Sequence, residues 1–141
     1  MLGTYITKSL DETKQLAAKI AKEVSAGNVT ALIGDLGTGK TVFAQGFAKA
    51  IGIKETVRSP TFKLISEYKG VKYFLYHIDC YRLKNVQQFI NIGGEEYLAA
   101  NKSITLIEWA DIIEEILPKD AIRIKFKRIF EKSNHREIII S

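Results

Sequence analysis

The sequence predicts a mixed α/β domain with a central parallel sheet, antiparallel strands added to it, and helices on both faces. Three observations support this prediction. Short β-branched runs alternate with segments of helical periodicity. Two regions have the pattern of a β-hairpin. A glycine-rich turn joins a buried strand directly to a helix. The chain has 141 residues, which is the size of one domain, and we expect a single domain over residues 1–141.

The first half of the chain is predicted to contain a helix, a strand and a second helix. Ser9 followed by Glu12 forms a capping box, and apolar residues then recur at helical spacing. We expect this first helix to end at Gly27-Asn28. The short β-branched run at residues 29–33 predicts a buried strand. After the glycine-rich turn, residues 42–51 predict a second helix.

The second half of the chain is predicted to begin with a hairpin. Residues 62–68 and 71–78 alternate around a turn at Lys69-Gly70. The remaining predicted elements, in order, are helical pieces at residues 86–92 and 95–100, a buried strand at 103–107, a short helix at 111–117, and paired strands at 121–129 and 136–140.

Composition and charge narrow the class of protein. The formal net charge is +5, and residues 118–141 carry seven basic and three acidic side chains. Nearly all of the excess positive charge is therefore near the C-terminus, where it would favour binding of phosphates, RNA or an acidic partner. The longest uncharged stretch, residues 24–34, is much shorter than the ~20 residues of a membrane span. With no signal-like N-terminus and one cysteine, Cys80, we expect a cytoplasmic protein without membrane contact.

A phosphate-binding loop is the most specific signal in the sequence. Residues 34–41 match G-x-x-x-x-G-K-[ST] at every position, between a predicted strand and a predicted helix. Such a loop directs backbone amides and a helix N-terminus at phosphate oxygens. Its lysine reaches the β- and γ-phosphates, and its threonine hydroxyl binds Mg²⁺. The expected nucleotide-binding residues here are Gly34, Asp35, Leu36, Gly37, Thr38, Gly39, Lys40, Thr41 and Val42.

Two acids are candidates for holding a metal ion or orienting water. Asp79 and Glu108 each end an apolar run, which is the position expected of the carboxylate that accompanies a phosphate-binding loop. The sequence leaves open which of the two binds Mg²⁺ directly.

Other polar or aromatic residues near these acids have competing interpretations. We interpret His77 as a partly buried packing residue rather than a general base, and Cys80 as a small apolar residue. Trp109 is placed either on a nucleotide base or in the core. Residues 59–62, with the sequence S-P-T-F, predict a turn by themselves, although their position suits a switch threonine at Thr61.

Taken together, these motifs resemble the TsaE family, bacterial P-loop ATPases required to form threonylcarbamoyladenosine in tRNA. The resemblance is carried by residues 34–41, S-P-T-F at 59–62, H-I-D-C-Y-R-L at 77–83, G-E-E-Y-L at 94–98 and I-E-W at 107–109. It covers almost the whole chain. The phosphate loop is shared with many families, whereas its combination with the other four motifs is much more specific.

The resemblance implies a P-loop NTPase fold, ATP and Mg²⁺ as cofactors, and specific roles. Thr41 and Glu108 look like magnesium ligands, Asp79 like a further acid needed for turnover, and Thr61 like the switch threonine. Nucleotide contacts are also implied around Ser9 and Leu10 and at Arg136. The implied partners are the TsaD and TsaB proteins, which form a heterodimer, with tRNA present in the complex.

Two other function classes fit parts of the sequence. A small-molecule kinase would use the same loop, with residues 123–136 as its lid. An RNA-binding module would use the basic C-terminal strands, although few aromatic residues are interleaved there. A guanine-specific switch is disfavoured because N-K-S-I at residues 101–104 lacks the aspartate of the N-K-x-D pattern.

Overall fold

A computed structural model describes residues 2–35, 37–58 and 63–141. Its strands are β1 (Gly3–Thr7), β2 (Val29–Ile33), β3 (Ile65–Lys69), β4 (Phe74–Asp79), β5 (Ser103–Glu108), β6 (Ile122–Arg128) and β7 (Arg136–Ile140). Its α-helices are α1 (Leu10–Ala21), α2 (Lys40–Ala50), α3 (Val86–Asn91) and α4 (Glu95–Leu98), and a 3-10 helix spans Ala110–Ile116.

The strands form one sheet in the order β1-β7-β6-β2-β5-β4-β3. The four central strands β6, β2, β5 and β4 are parallel to one another, whereas β3 on one side and β7 and β1 on the other are antiparallel to their neighbours. The predicted mixed α/β fold is therefore confirmed, with a parallel centre and antiparallel additions.

Two hydrophobic cores cover the two faces of this sheet. The first packs α1 and α2 on one face through Leu16, Phe43 and Phe47. The second packs α3 and the 3-10 helix on the other face through Phe89 and Ile113. Helices on both faces, as predicted, follow from strands that are apolar on both sides.

The first helix is shorter than its apolar spacing predicts. Ser9 caps α1 by accepting a hydrogen bond from the Glu12 amide at 3.1 Å, as expected. The helix ends at Ala21, however, and the predicted end at Gly27-Asn28 is wrong. Asn28 Oδ1 accepts from the Ser25 amide at 2.8 Å, and the Gly27 amide donates to the Ser103 carbonyl at 2.9 Å. These bonds hold the segment as a turn, although Val24 is still buried.

Several elements in the rest of the chain differ from the prediction in detail. Strand β1 was not predicted, because it is a five-residue edge strand whose Ile6 is exposed. The helix expected at residues 111–117 is a 3-10 helix interrupted at Ile113. Strand β4 begins at Phe74 because residues 70–73 form the turn, closed by the Gly70 amide and the Tyr73 carbonyl. Within the described ranges, no helix combines the length and apolar character needed to cross a bilayer.

Candidate functional site

The candidate site lies where the parallel strands end. Strands β2, β5 and β4 are adjacent and parallel, so their carboxyl ends meet at one edge of the sheet, the usual binding edge of such folds. The glycine-rich loop leaves the end of β2. Glu108 ends the adjacent strand β5, and Asp79 ends β4 directly opposite Glu108. Chain topology therefore puts Glu108 one strand closer to the loop than Asp79.

Two glycines in the described part of the loop have a left-handed backbone conformation. Gly37 and Gly39 have φ of +74° and +105°, a conformation that residues other than glycine rarely adopt. The neighbour of Gly37 is the Arg128 guanidinium, the flexible end of a side chain, so the backbone conformation is what favours glycine at this position. Gly39 is the N-cap of α2 and provides no side-chain cap. The first amides of α2, from Lys40 to Val42, are therefore donors without an intrahelical acceptor, beside the positive end of the helix dipole.

Lys40 is the buried cation of the site. Its Nζ donates to the carbonyl oxygens of Gly34 and Asp35, the second at 2.9 Å, and lies 4.3 Å from the centroid of the Trp109 ring. Burial lowers the Lys40 pKa below its ordinary value, while the carboxylates, Glu108 foremost and then Asp79, oppose that shift. Lys40 therefore interacts electrostatically with both predicted acids.

The two acids are held in different ways. Glu108 is buried, and its Oε2 lies 2.6 Å from Nε2 of His77, which is fully buried. Asp79 Oδ1 instead accepts the backbone amide of Tyr81 at 2.9 Å. His77 is buried, as its interpretation as a packing residue predicts, but fully and not partly. It also has a polar partner on β5, which periodicity along β4 does not predict.

Trp109 lies at the mouth of the site and is half-buried. Its ring contacts that of Tyr81, with centroids 4.9 Å apart, and it packs at the edge of the second core. Its φ of +58° is unusual for a bulky residue, and such conformations concentrate at functional sites. Trp109 thus packs against the core and also lines the cavity of the site, and its contact with a nucleotide base stays a prediction.

Two arginines from the β6–β7 hairpin contact the loop. Arg136 donates from Nε to the Thr38 carbonyl and from Nη2 to the Gly37 carbonyl, both at 3.1 Å. The Arg128 guanidinium lies beside Gly37. Burial and the neighbouring Arg128 both lower the Arg136 pKa. The sequence analysis gave no role to Arg128 or to Tyr81, although Tyr81 belongs to the motif at residues 77–83. The contacts of Arg128 with the loop and of Tyr81 with Trp109 identify them in the folded chain.

One cavity of about 490 Å³ brings most of the predicted residues together. Such a volume suits a small-molecule ligand. The residues lining this cavity are Leu10, Gly37, Gly39, Lys40, Thr41, Val42, Asp79, Tyr81, Glu108, Trp109 and Arg136.

The other predicted residues are absent from this lining or lie outside the described ranges. The carbonyls of Gly34 and Asp35 accept from Lys40, and Thr38 Oγ1 donates to the Asp35 carbonyl at 2.6 Å. Ser9 uses its hydroxyl to cap α1. Leu36 and Thr61, with the rest of residues 59–62, lie outside the described residues.

A larger cleft, of about 1020 Å³, lies between α1, α2 and residues 53–57. Neither the glycines of the phosphate loop nor the two predicted acids line it, so the smaller cavity is the candidate site.

The donor set fits magnesium held jointly with a phosphate ligand. Among the described residues, no three His, Cys, Asp or Glu side chains converge as a ready metal site. Mg²⁺ at a phosphate loop takes only one or two protein oxygens, since phosphates and water supply the others. Thr41, Asp79 and Glu108 line the same cavity as the loop glycines, so these three are the candidate ligands that the described part of the chain offers.

Fold and loop together define a mixed α/β protein of the P-loop type. A family model described as "Threonylcarbamoyl adenosine biosynthesis protein TsaE" matches residues 7–138. The chain belongs to the TsaE family.

Individual relatives support this assignment. A protein of Bacillus subtilis named tRNA threonylcarbamoyladenosine biosynthesis protein TsaE is 42% identical over 86% of this chain and 75% of its own length. The protein of the same name from Treponema pallidum is 32% identical over 96% and 98%. The crystal structure of Bacillus subtilis YdiB superimposes with a TM-score of 0.81 at 38% identity, covering 98% of this chain and 83% of that one.

Proposed function

We propose that this chain is a cytoplasmic, Mg²⁺-dependent ATPase of tRNA threonylcarbamoyladenosine synthesis. The family supports the pathway in this proposal, because its model and the named relatives are described as threonylcarbamoyladenosine biosynthesis proteins. The single observation that carries the ATPase proposal is the arrangement around Lys40. The uncapped N-terminus of α2, the Lys40 ammonium and two strand-end carboxylates share one cavity.

Each part of the site has a distinct task in this proposal. The amides of residues 40–42 and the Lys40 ammonium would hold the β- and γ-phosphates, where fixed donors stabilise developing charge. Thr41 and Glu108 would hold magnesium, which would neutralise phosphate oxygens. Asp79 would orient the attacking water. Glu108 is assigned to the metal because β5 is adjacent to the loop strand β2.

The base would bind at the aromatic side of the cavity. Trp109 and Tyr81 present adjacent rings there, and Leu10 adds an exposed apolar side chain from the start of α1. Stacking on such rings suits an adenine and involves no guanine-specific hydrogen bonds.

We further propose that the isolated chain hydrolyses ATP slowly and acts with a TsaD–TsaB heterodimer, in a complex that also handles tRNA. Arg136, the arginine that lines the cavity, donates to the loop carbonyls of Gly37 and Thr38. A guanidinium used in this way is not directed at a transition state, so faster turnover would need groups or ordering supplied by the partners.

Calorimetry and a phosphate-release assay test the proposal. The wild type should bind ATP with Mg²⁺, and Lys40→Ala should lose at least tenfold in affinity, whereas Lys102→Ala, at an exposed lysine outside the cavity, should behave as wild type. Hydrolysis should rise when the TsaD–TsaB heterodimer is added. Folded wild-type protein that binds no ATP at millimolar concentration would contradict the proposal.

The same assays separate the two alternative functions. A small-molecule kinase would transfer labelled phosphate to a metabolite instead of releasing it. An RNA-binding module would retain RNA after Lys40→Ala and lose it when Lys125 and Lys127, both exposed on β6, are neutralised. Arg123, the other basic residue on that face, pairs with Glu114 at 2.8 Å, which reduces the charge available to RNA.

A further inference from the structure

His77 makes a buried contact that the proposed chemistry does not yet use. Its imidazole is fully buried, and Nε2 lies 2.6 Å from Glu108 Oε2. His77 precedes Asp79 by two residues on β4, so the two side chains share one face of the sheet. Register pairs Asp79 with Glu108 and His77 with Leu106. The imidazole therefore reaches diagonally from β4 to the last residue of β5.

The direction of this hydrogen bond follows from the acceptor. A carboxylate that binds magnesium is ionised and only accepts, so the proposal below requires the tautomer in which Nε2 carries the hydrogen and donates it to Oε2. Nδ1 makes no hydrogen bond within the described part of the chain. The described polar contact of this buried ring is thus with Glu108. An apolar side chain would fill the same space without burying an imidazole, so packing alone does not account for histidine here.

We propose that His77 is a positioning residue that fixes the Glu108 carboxylate for ATP turnover. By holding Oε2, it restricts rotation of the carboxylate and leaves Oε1 as the oxygen available to the cavity shared with Lys40 and Thr41. Partners of this kind around metal ligands commonly contribute 10–100-fold in affinity or activity. The inference rests on the proposed ATPase function and specifies how its acid is oriented.

The other acid offers an internal contrast. Asp79 is held by the backbone amide of Tyr81, which no side-chain substitution removes. Replacing His77 should therefore release Glu108 while this bond to Asp79 remains. The substitution should impair the function of Glu108 and leave ATP binding intact. The amides at the start of α2 and Lys40, which would bind the phosphates, make no hydrogen bond with His77 among the described residues.

Three variants test the proposal. His77→Met removes the donor and keeps an apolar side chain of similar length. His77→Gln keeps an amide donor near the position of Nε2. Leu75→Met is the matched control, because Leu75 is fully buried on the same strand and face and, opposite Ile104, lies two residues further from the pair of acids than His77 does. Chemical unfolding confirms that each variant is folded before it is assayed.

ATP hydrolysis with the partner heterodimer should separate kcat from KM. We expect His77→Met to lower kcat about tenfold or more with KM for ATP within twofold of wild type. His77→Gln should recover most of that loss, and Leu75→Met should match wild type. A folded His77→Met with wild-type kcat, or a His77→Gln no better than His77→Met, would overturn the positioning role.

A measurement on the free protein keeps this result distinct from failure of the ATPase proposal. In ¹⁵N-labelled wild type, the His77 Nε2–H should give a slowly exchanging imidazole signal, and Glu108→Ala should abolish it. Suppose that the signal is present, that wild type hydrolyses ATP and that His77→Met has the kcat of wild type. In that case the positioning proposal fails and the ATPase proposal stands. If wild type neither binds nor hydrolyses ATP, the proposed function fails and the positioning role with it.

Discussion

Arg136 Nε donates to the carbonyl oxygen of Thr38 at 3.1 Å, across a separation of 98 residues in the chain. Arg136 Nη2 reaches the Gly37 carbonyl at the same distance, and Nη1 donates to the His135 carbonyl at 2.8 Å. In a trans peptide the C=O and the following N–H point in opposite directions. Holding these carbonyls therefore turns the amides of Thr38 and Gly39 away from the guanidinium, which helps to preorganise the loop.

Replacing Arg136 should weaken nucleotide binding. Arg136→Met removes both bonds to the loop and leaves an apolar side chain of similar length. Hydrogen bonds to a charged group are worth about 1.5–3 kcal/mol each, and partial loss of about 1.4 kcal/mol corresponds to tenfold in Kd. We therefore expect Kd for ATP with Mg²⁺ to rise at least tenfold by calorimetry.

Arg123→Met is the control for this prediction. Arg123 lies on β6 of the same hairpin but pairs with Glu114, so its removal should leave Kd within twofold. Equal effects of the two substitutions would mean that hairpin charge in general, rather than the contact with the loop, determines affinity.

Trp109 should contribute to nucleotide affinity through its ring. It lies 4.3 Å below Lys40 Nζ and beside Tyr81. Base–aromatic stacking is worth about 1–3 kcal/mol, so Trp109→Ala should raise Kd about tenfold. Trp109→Phe, which keeps an aromatic face, should stay within threefold. Because Trp109 is the only tryptophan, its fluorescence should also change saturably on ATP addition, and no change would contradict placement of the base against this ring.

Much of the fold follows from local pattern. Strand β2 is predicted with its observed bounds, since five apolar or β-branched residues between turn residues have few alternatives. The end of α1 is not predicted correctly. Beyond Ala21, hydrogen bonds to the Asn28 side chain and to the Ser103 carbonyl form a turn, although the apolar spacing continues. Strand β1 escapes detection because its pairing with β7 is a contact between the two ends of the chain.

In the candidate site, too, local motifs are predictable from the sequence and contacts between strands are not. The phosphate loop and the two acids are visible because each occupies a fixed place relative to one strand. The pairing of His77 with Glu108 and the contact of Arg128 with Gly37 are not visible, since both depend on which strands become neighbours. Strand order, which sequence alone did not provide, determines those contacts.

Gly46 should resist substitution despite its place inside a helix. Gly→Ala in a helix ordinarily gains about 1 kcal/mol. A Cβ at Gly46, however, would lie 2.7 Å from both Cα and the carbonyl oxygen of Lys14, where α1 and α2 pack closely. Because backbone atoms cannot easily move, we expect Gly46→Ala to lower the free energy of unfolding by about 1–3 kcal/mol in urea.

Lys49→Ala provides the comparison for Gly46, because Lys49 is exposed on the same helix and its replacement shortens a side chain instead of adding an atom. It should leave stability within about 0.5 kcal/mol of wild type. A Gly46→Ala protein as stable as wild type would show that α1 and α2 can separate without cost.

Cys80 should make stability depend on pH in the alkaline range. Burial, with smaller contributions from Asp79 and Asp111, raises the pKa of the thiol from 9.0 to about 12. The folded protein therefore retains a proton that the unfolded chain releases above pH 9. The stabilisation is complete below pH 9, decreases as pH rises and is lost by about pH 12.

Urea unfolding at pH 8 and pH 10 under reducing conditions measures this effect. At pH 10, one unit above the unfolded pKa, wild type should have lost about 1.4 kcal/mol through Cys80. Cys80→Ala and Cys80→Val do not titrate and should lack that part of the loss, although both change packing at each pH. Lysines and tyrosines titrate equally in all three proteins, so the difference in pH dependence isolates the thiol. Identical dependence in wild type and both variants would mean that the Cys80 thiol ionises alike in the folded and unfolded chains, contrary to its burial.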